Sequence, residues 1–152
     1  MSYKILQQVA EIQLTYNSKV KAKDRPQVCS SRDAYWILES NWSNQMELLE
    51  EFNVLLLDRS NRAMGLFRAS KGGVAGTVVD LRIVFAAALK ARASALILAH
   101  NHPSSNLTPS QADMDLTEKF KQAGKILDIQ ILDHLILSPE NCYYSFADEC
   151  KL

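Results

Sequence analysis

The sequence predicts an α/β fold: one mixed β-sheet carrying helices on both faces. Three observations predict it. Runs of strand length and strand chemistry occur at 52–57, 64–70, 94–99 and 128–137, with a shorter candidate at 142–146. Three longer segments, at 31–42, 79–92 and 109–123, place apolar residues at helical spacing. The two kinds follow one another as helix, strand, strand, helix, strand, helix, strand, strand, an order that suits helices layered on both sides of a mixed sheet. At 152 residues the chain can bury one sizeable core but hardly two.

Residues 1–27 read as an N-terminal arm. Its apolar positions Ile5, Val9, Ile12 and Leu14 suit a short strand or helix on the domain edge. Lys19, Lys21, Lys23 and Arg25 form a basic cluster, read as a solvated arm because the formal net charge of the chain is zero. Pro26 marks a boundary, and residues 28–152 form the domain. Ser30 and Ser31 ahead of Asp33 read as a helix start. Ala34, Tyr35, Trp36, Ile37 and Leu38 supply the apolar face of that helix.

Residues 52–57 are mostly apolar and read as a central strand. A turn through Asp58, Asn61 and Arg62 returns the chain into an antiparallel partner at 64–70. Gly72, Gly73 and Gly76 make a loop that matches neither G-x-x-x-x-G-K-[ST] nor G-x-G-x-x-G, so it is not a phosphate-binding loop. In the next helix Asp80 suits the start, and Ile83, Ala87 and Ala91, with Val84 and Ala88 beside them, form the packing stripe. The helix at 109–123 presents Ala112, Leu116, Phe120 and Ala123 to the core, with Asp113 and Thr117 at the edge of that stripe. Gly124 is its expected C-cap.

Composition narrows the function. A hydrophobic content of 47% and a charged content of 22% are those of a soluble globular domain. Zero net charge supplies no overall basic field for nucleic acid. The first thirty residues are mixed polar and charged, which excludes a signal peptide or membrane-spanning run there. Cys29, Cys142 and Cys150 are scattered, odd in number and form no C-x-x-C, as expected of reduced thiols in the cytoplasm.

The chemistry concentrates between Leu96 and Thr117. An apolar strand ends on His100-Asn101-His102-Pro103. Residues i and i+2 of a strand point to one side, so both imidazoles can aim at one point while Asn101 turns away. Pro103 ends the strand. Thr108, Pro109 and Gln111 then read as N-cap, first helical residue and partner in a T-x-x-Q capping box. Asp113 follows about one turn in and can face the strand end. Two neutral imidazoles and a carboxylate are a usual ligand set for catalytic zinc with one position left for water. Taken alone, an H-x-H pair also suits strand-capping histidines, and an early helical Asp also suits the helix dipole.

His100-x-His102, seven residues, Ser110, two residues and Asp113 resemble the JAMM metalloprotease motif of JAB/MPN domains. HNHPS followed by T-P-S-x-x-D-x-x-x-T is similar, within that superfamily, to the bacterial RadC-like proteins, also called the UPF0758 family and long labelled DNA repair proteins. The resemblance runs from about Val28 to the end. It implies the α-β-α sandwich of JAB1/MPN domains, related to the cytidine-deaminase-like architecture. It also implies one Zn2+ per chain, held by His100, His102 and Asp113, and hydrolysis of a peptide or isopeptide bond.

JAMM proteases place a glutamate at the start of an early strand. Glu51, ahead of Phe52, matches that pattern and is taken as the general base, with Glu50 as its rival. A strand's period of two sends the pair to opposite faces, so they are not interchangeable. Both also suit plain solvated residues flanking a hydrophobic strand. By resemblance Ser110 steadies the oxyanion, although it also suits an ordinary first-turn serine. Asn101 and Ser104 are candidates for orienting the imidazoles. His134 reads as a satisfied structural histidine, with orientation of a ligand as the other reading.

Two departures stand out. RadC-like proteins usually carry HNHPSG, whereas this chain has Ser105 in place of the glycine. Fuller members carry an N-terminal helix-hairpin-helix region that residues 1–27 are too short to supply, which removes the obvious DNA-binding part. The alternative to a hydrolase is a non-catalytic MPN-type binding module in a DNA-repair or mobile-element setting. Deamination is disfavoured because no P-C-x-x-C pair is present. An uncovered edge strand suits a homodimer.

Overall fold

The computed structural model describes residues 9–13, 15–73 and 78–152. Ile5, Leu14 and Gly76, singled out above, lie outside them. The elements are α1 (Ser31–Ser40), β1 (Glu51–Leu57), β2 (Ala63–Lys71), α2 (Leu81–Ala91), β3 (Ala95–Asn101), α3 (Gln111–Leu127), β4 (Gln130–Leu137) and β5 (Tyr143–Ser145), with a single 3-10 turn at Ala22–Asp24 ahead of them. This is the order expected from the sequence.

The five strands form one sheet in the order β2-β1-β3-β4-β5. β3 and β4 run parallel, joined through α3, while the other neighbours pair antiparallel. The sheet is therefore mixed. β1 and β3 are buried on both faces, which is why both read as nearly continuous apolar runs.

Alternation divides their side chains between two cores. Phe52, Val54, Leu56, Leu96 and Leu98 pack with Val84, Phe85 and Ala88 of α2 and Phe120 of α3. Leu55, Leu57, Ala95, Ile97 and Ala99 pack on the other side with Ala34, Tyr35 and Leu38 of α1. Each large side chain buried this way contributes about 1.5–3 kcal/mol of transfer free energy. The two cores make the α-β-α sandwich.

Several local expectations are corrected. Trp36, Ile83 and Ala112 are exposed, so each helix is rotated slightly from its expected stripe. In α2 the buried set is Val84, Phe85, Ala88 and Ala91. Thr117, placed at the edge of the α3 stripe, is instead buried at its centre. Gly124 is not a C-cap: α3 runs on to Leu127 and is capped by Asp128 in the left-handed conformation. The glycine is needed there because a Cβ would lie 2.3 Å from the Ile129 carbonyl oxygen.

Chain ahead of α1 is tied to the β1–β2 hairpin. Gln27 bridges Arg62, the Val28 amide donates to Asn61, and Arg25 pairs with Asp58 at 3.3 Å. Arg25 thus leaves the solvated basic cluster. No helix among the described residues is long and apolar enough to cross a membrane.

Candidate metal centre

The site forms where β3 ends and α3 begins. β3 continues through His100 and Asn101, and a turn closed by the Ser105 amide donating to the His102 carbonyl follows. Ser105 has φ 65°, the left-handed region that a glycine adopts freely. The residue that departs from the familiar HNHPSG run therefore occupies a conformation that favours glycine.

Ser110, not Thr108, caps α3. Its Oγ accepts from the Asp113 amide at 3.1 Å, and its own amide donates to Asp113 Oδ2 at 2.7 Å. Two overlapping boxes were available in the sequence, T-x-x-Q and S-x-x-D. The second wins because the Asp113 carboxylate then serves both the cap and the strand end. It faces His100 Nε2 at 3.2 Å and His102 Nε2 at 3.5 Å, and the two Nε2 atoms are 3.0 Å apart. His100, His102 and Asp113 are the group among the described residues able to hold a metal ion, with one ligand atom from each lying within 4.8 Å of the others.

Hydrogen-bond partners fix where the imidazole protons sit. His102 Nδ1 faces the Asn106 carbonyl at 2.5 Å; a carbonyl only accepts, so Nδ1 donates and Nε2 of the neutral ring carries a lone pair. His100 is read through a longer chain. Thr117 Oγ1 donates to the Asp113 carbonyl at 2.7 Å, so it must accept from His134 Nδ1 at 2.6 Å. His134 Nε2 then accepts from His100 Nδ1 at 2.8 Å. His100 Nε2 is left with its lone pair facing the cluster. Burial first, then electrostatic interaction with His100, pushes the His134 pKa well below that of an ordinary imidazole, which favours the neutral ring.

Two lone pairs and a carboxylate thus converge with no donor among them. Such a set is repulsive unless a cation or an added proton lies between. A tetrahedral ion with ligands at about 2.0–2.2 Å needs them about 3.3–3.5 Å apart. Of the observed edges, 3.5 Å lies in that span and 3.2 and 3.0 Å fall 0.1–0.3 Å short of it, so a metal would spread the two imidazoles slightly. A proton shared between an imidazole and the carboxylate relieves the same repulsion. The Asp113 hydrogen bond raises the pKa of His102 against the opposing effect of burial, with further help from the Asn106 carbonyl and the charges of Asp113 and Glu50. For Asp113, burial acts to raise the pKa, but the bonds from His100 and His102 outweigh it and hold the carboxyl far below the usual range.

The glutamates separate as the strand period requires, and Glu51 does not face the histidines. Phe52 lies opposite His100 in the β1–β3 register, and the two rings are parallel within 5°. Glu51 is therefore on the other face, with the α1 core. It is buried there, accepts from Ser43 Oγ at 2.6 Å and pairs with Lys71 Nζ at 3.5 Å. Glu50 follows the alternation to the histidine side, where its charge acts on His102.

Among the described residues Asn101 and Ser104 make no direct hydrogen bond to an imidazole. Asn101 points to the α1 side, where Oδ1 accepts from the Glu51 amide at 2.7 Å and Nδ2 donates to the Met46 and Leu49 carbonyls at 2.8 Å. Ser104 Oγ accepts from the Asn106 amide, within the turn. The Nδ1 atoms of the two imidazoles meet His134 Nε2 and the Asn106 carbonyl instead. The signal for His134 was a histidine inside a strongly apolar strand, which a buried polar partner must satisfy.

The mixed sheet between α1 on one face and α2 and α3 on the other, with this cluster at the strand end, is the architecture of a JAB/MPN domain. The RadC-like JAB domain family model matches residues 28–152, and the chain belongs to that family. It is 51% identical over 122 residues to a UPF0758 protein of Flavobacterium johnsoniae, covering 80% of this chain and 52% of that one. A UPF0758 protein of Porphyromonas gingivalis is 38% identical over 125 residues, covering 82% and 54%. The chain thus spans about half the length of these curated relatives.

Proposed function

We propose that this domain is a zinc-dependent hydrolase of the JAMM type, acting on a peptide or isopeptide amide. The observation that carries the reading is the convergence of the His100 and His102 Nε2 atoms on the Asp113 carboxylate, three ligand atoms that a divalent ion satisfies together. A divalent ion there supplies Lewis acidity, lowering the pKa of water and polarising an amide carbonyl.

The chain's own groups do the rest. Glu50, on the histidine side of the sheet, accepts a proton from the attacking water and passes it to the departing amine. Ser110 Oγ already accepts from the Asp113 amide, so its own proton is available to an oxyanion formed beside the cluster. Phe52, stacked along His100, and Phe146, stacked on His134 at 4.8 Å, keep water from the buried side of the ligands.

The test is metal content by mass spectrometry of the wild type beside His102→Ala, followed by a peptide and isopeptide cleavage screen. About one zinc per chain, lost in the variant, is expected. In the screen Glu50→Gln abolishes turnover while Glu51→Gln leaves it largely intact. A wild type that takes up no zinc refutes the hydrolase and favours a binding module.

A further inference from the structure

We propose that His134, itself set by Thr117, is a positioning residue that holds His100 in its metal-binding tautomer. The inference rests on the metal reading above but concerns residues outside the ligand set.

The geometry is a closed line of hydrogen bonds linking two ligands through the protein interior. Thr117 Oγ1 donates to the carbonyl of Asp113, His134 Nδ1 donates to Thr117 Oγ1, and His100 Nδ1 donates to His134 Nε2, at 2.7, 2.6 and 2.8 Å. The direction has one consistent solution. The Asp113 carbonyl cannot donate, and the Thr117 hydroxyl has one proton. Reversing the line would press two acceptor oxygens together at 2.7 Å and would put the His100 proton on Nε2, where the ion binds.

Nothing else competes for these atoms. His134 is fully buried, and the aromatic rings of Phe52 and Phe146 pack on it. Thr117 is 2% exposed, so water does not substitute for its hydroxyl. The relay also spans the fold: His100 is on β3, Thr117 on α3 and His134 on β4, so the parallel crossover brings all three together. An apolar residue at 134 would leave the His100 ring free to flip or to carry its proton on the wrong nitrogen.

The experiment measures Zn2+ affinity by competition with a chromophoric chelator, in wild type, His134→Phe, His134→Gln and Thr117→Val, with folding followed by circular dichroism. The Gln side chain can still offer a carbonyl to His100 Nδ1, whereas Phe cannot. His134→Phe is expected to bind zinc about 10–100-fold more weakly. His134→Gln recovers most of the affinity, and Thr117→Val lies between. Co2+ loaded in place of zinc reports the same order through its ligand-field spectrum. If His134→Phe does not fold, Thr117→Val carries the test, because it leaves the ring in place and removes only the group that sets its tautomer. Wild-type zinc affinity and an unchanged Co2+ spectrum in the folded variants overturn the proposal. A wild type that binds no zinc instead overturns the metal reading itself.

Discussion

Replacing Gly124 by alanine separates two opposing effects in α3. In a free helix the change is favourable by about 1 kcal/mol. Here the new methyl would lie 2.3 Å from the Ile129 carbonyl oxygen, where ordinary contact begins near 3.4 Å, so about 1 Å of movement is required. That movement has nowhere to go. The Ile129 amide donates to the Gly124 carbonyl at 2.9 Å, and the next residue, Gln130, donates to Ser94 at the start of the sheet. Overpacking costs about 1–3 kcal/mol, and a strained or lost buried hydrogen bond about 1–3 kcal/mol more. Against the helix gain, Gly124→Ala is expected to destabilise by about 2–3 kcal/mol. For a chain of this size that lowers Tm by roughly 5–10 °C. Urea denaturation and calorimetry measure it. The control is Gly65→Ala in β2, where a Cβ meets nothing within 4 Å and a gain of up to about 1 kcal/mol is expected. An alanine at 124 as stable as wild type would refute the packing argument.

The remaining predictions concern the metal centre and its turn. Ser105 sits at φ 65°, so Ser105→Gly is expected to change stability by under about 1 kcal/mol, strain relief offsetting the gain in unfolded-chain entropy. Ser105→Val at the same φ should destabilise by about 1–2 kcal/mol and weaken zinc binding through the adjacent Asn106 carbonyl; denaturation and chelator competition measure both, and a harmless valine would refute the assigned turn. In the metal-free protein the raised His102 pKa contributes stability that is fully present below the ordinary imidazole pKa of 6.5 and is lost as pH rises through the folded value. Zinc affinity must slope the other way, falling about tenfold per pH unit below that folded value because His102 has to release its proton. Thermal melts and zinc titrations between pH 5 and 9 check the two slopes, and parallel slopes would refute the assignment.

Much of the site was legible because its spacing is local. The i, i+2 rule alone sent His100 and His102 to one side and Asn101 to the other. The parts that were not legible depend on pairing across the sheet. Period two says that Glu50 and Glu51 diverge but not which one faces the histidines; the register of Phe52 against His100 decides it. Thr108 and Ser110 both begin acceptable boxes, and the choice between them is made by histidines ten and eight residues earlier. Gly124 read as a helix stop because sequence shows a glycine's freedom more readily than its small size. His134 could be read as satisfied, but its partners lie 17 and 34 residues away on other elements.

Asn101 has a consequence of its own. Its neighbours in sequence reach toward the Asp113 carboxylate, while its own side chain grips the backbone of Met46, Leu49 and Glu51 on the far side of the sheet. The segment so gripped carries Glu50. One residue therefore keys the loop bearing the proposed base to the strand bearing the ligands, much as a dowel aligns two plates. The spacing between base and ligands is thus held twice, by the β1–β3 ladder and by these three short hydrogen bonds.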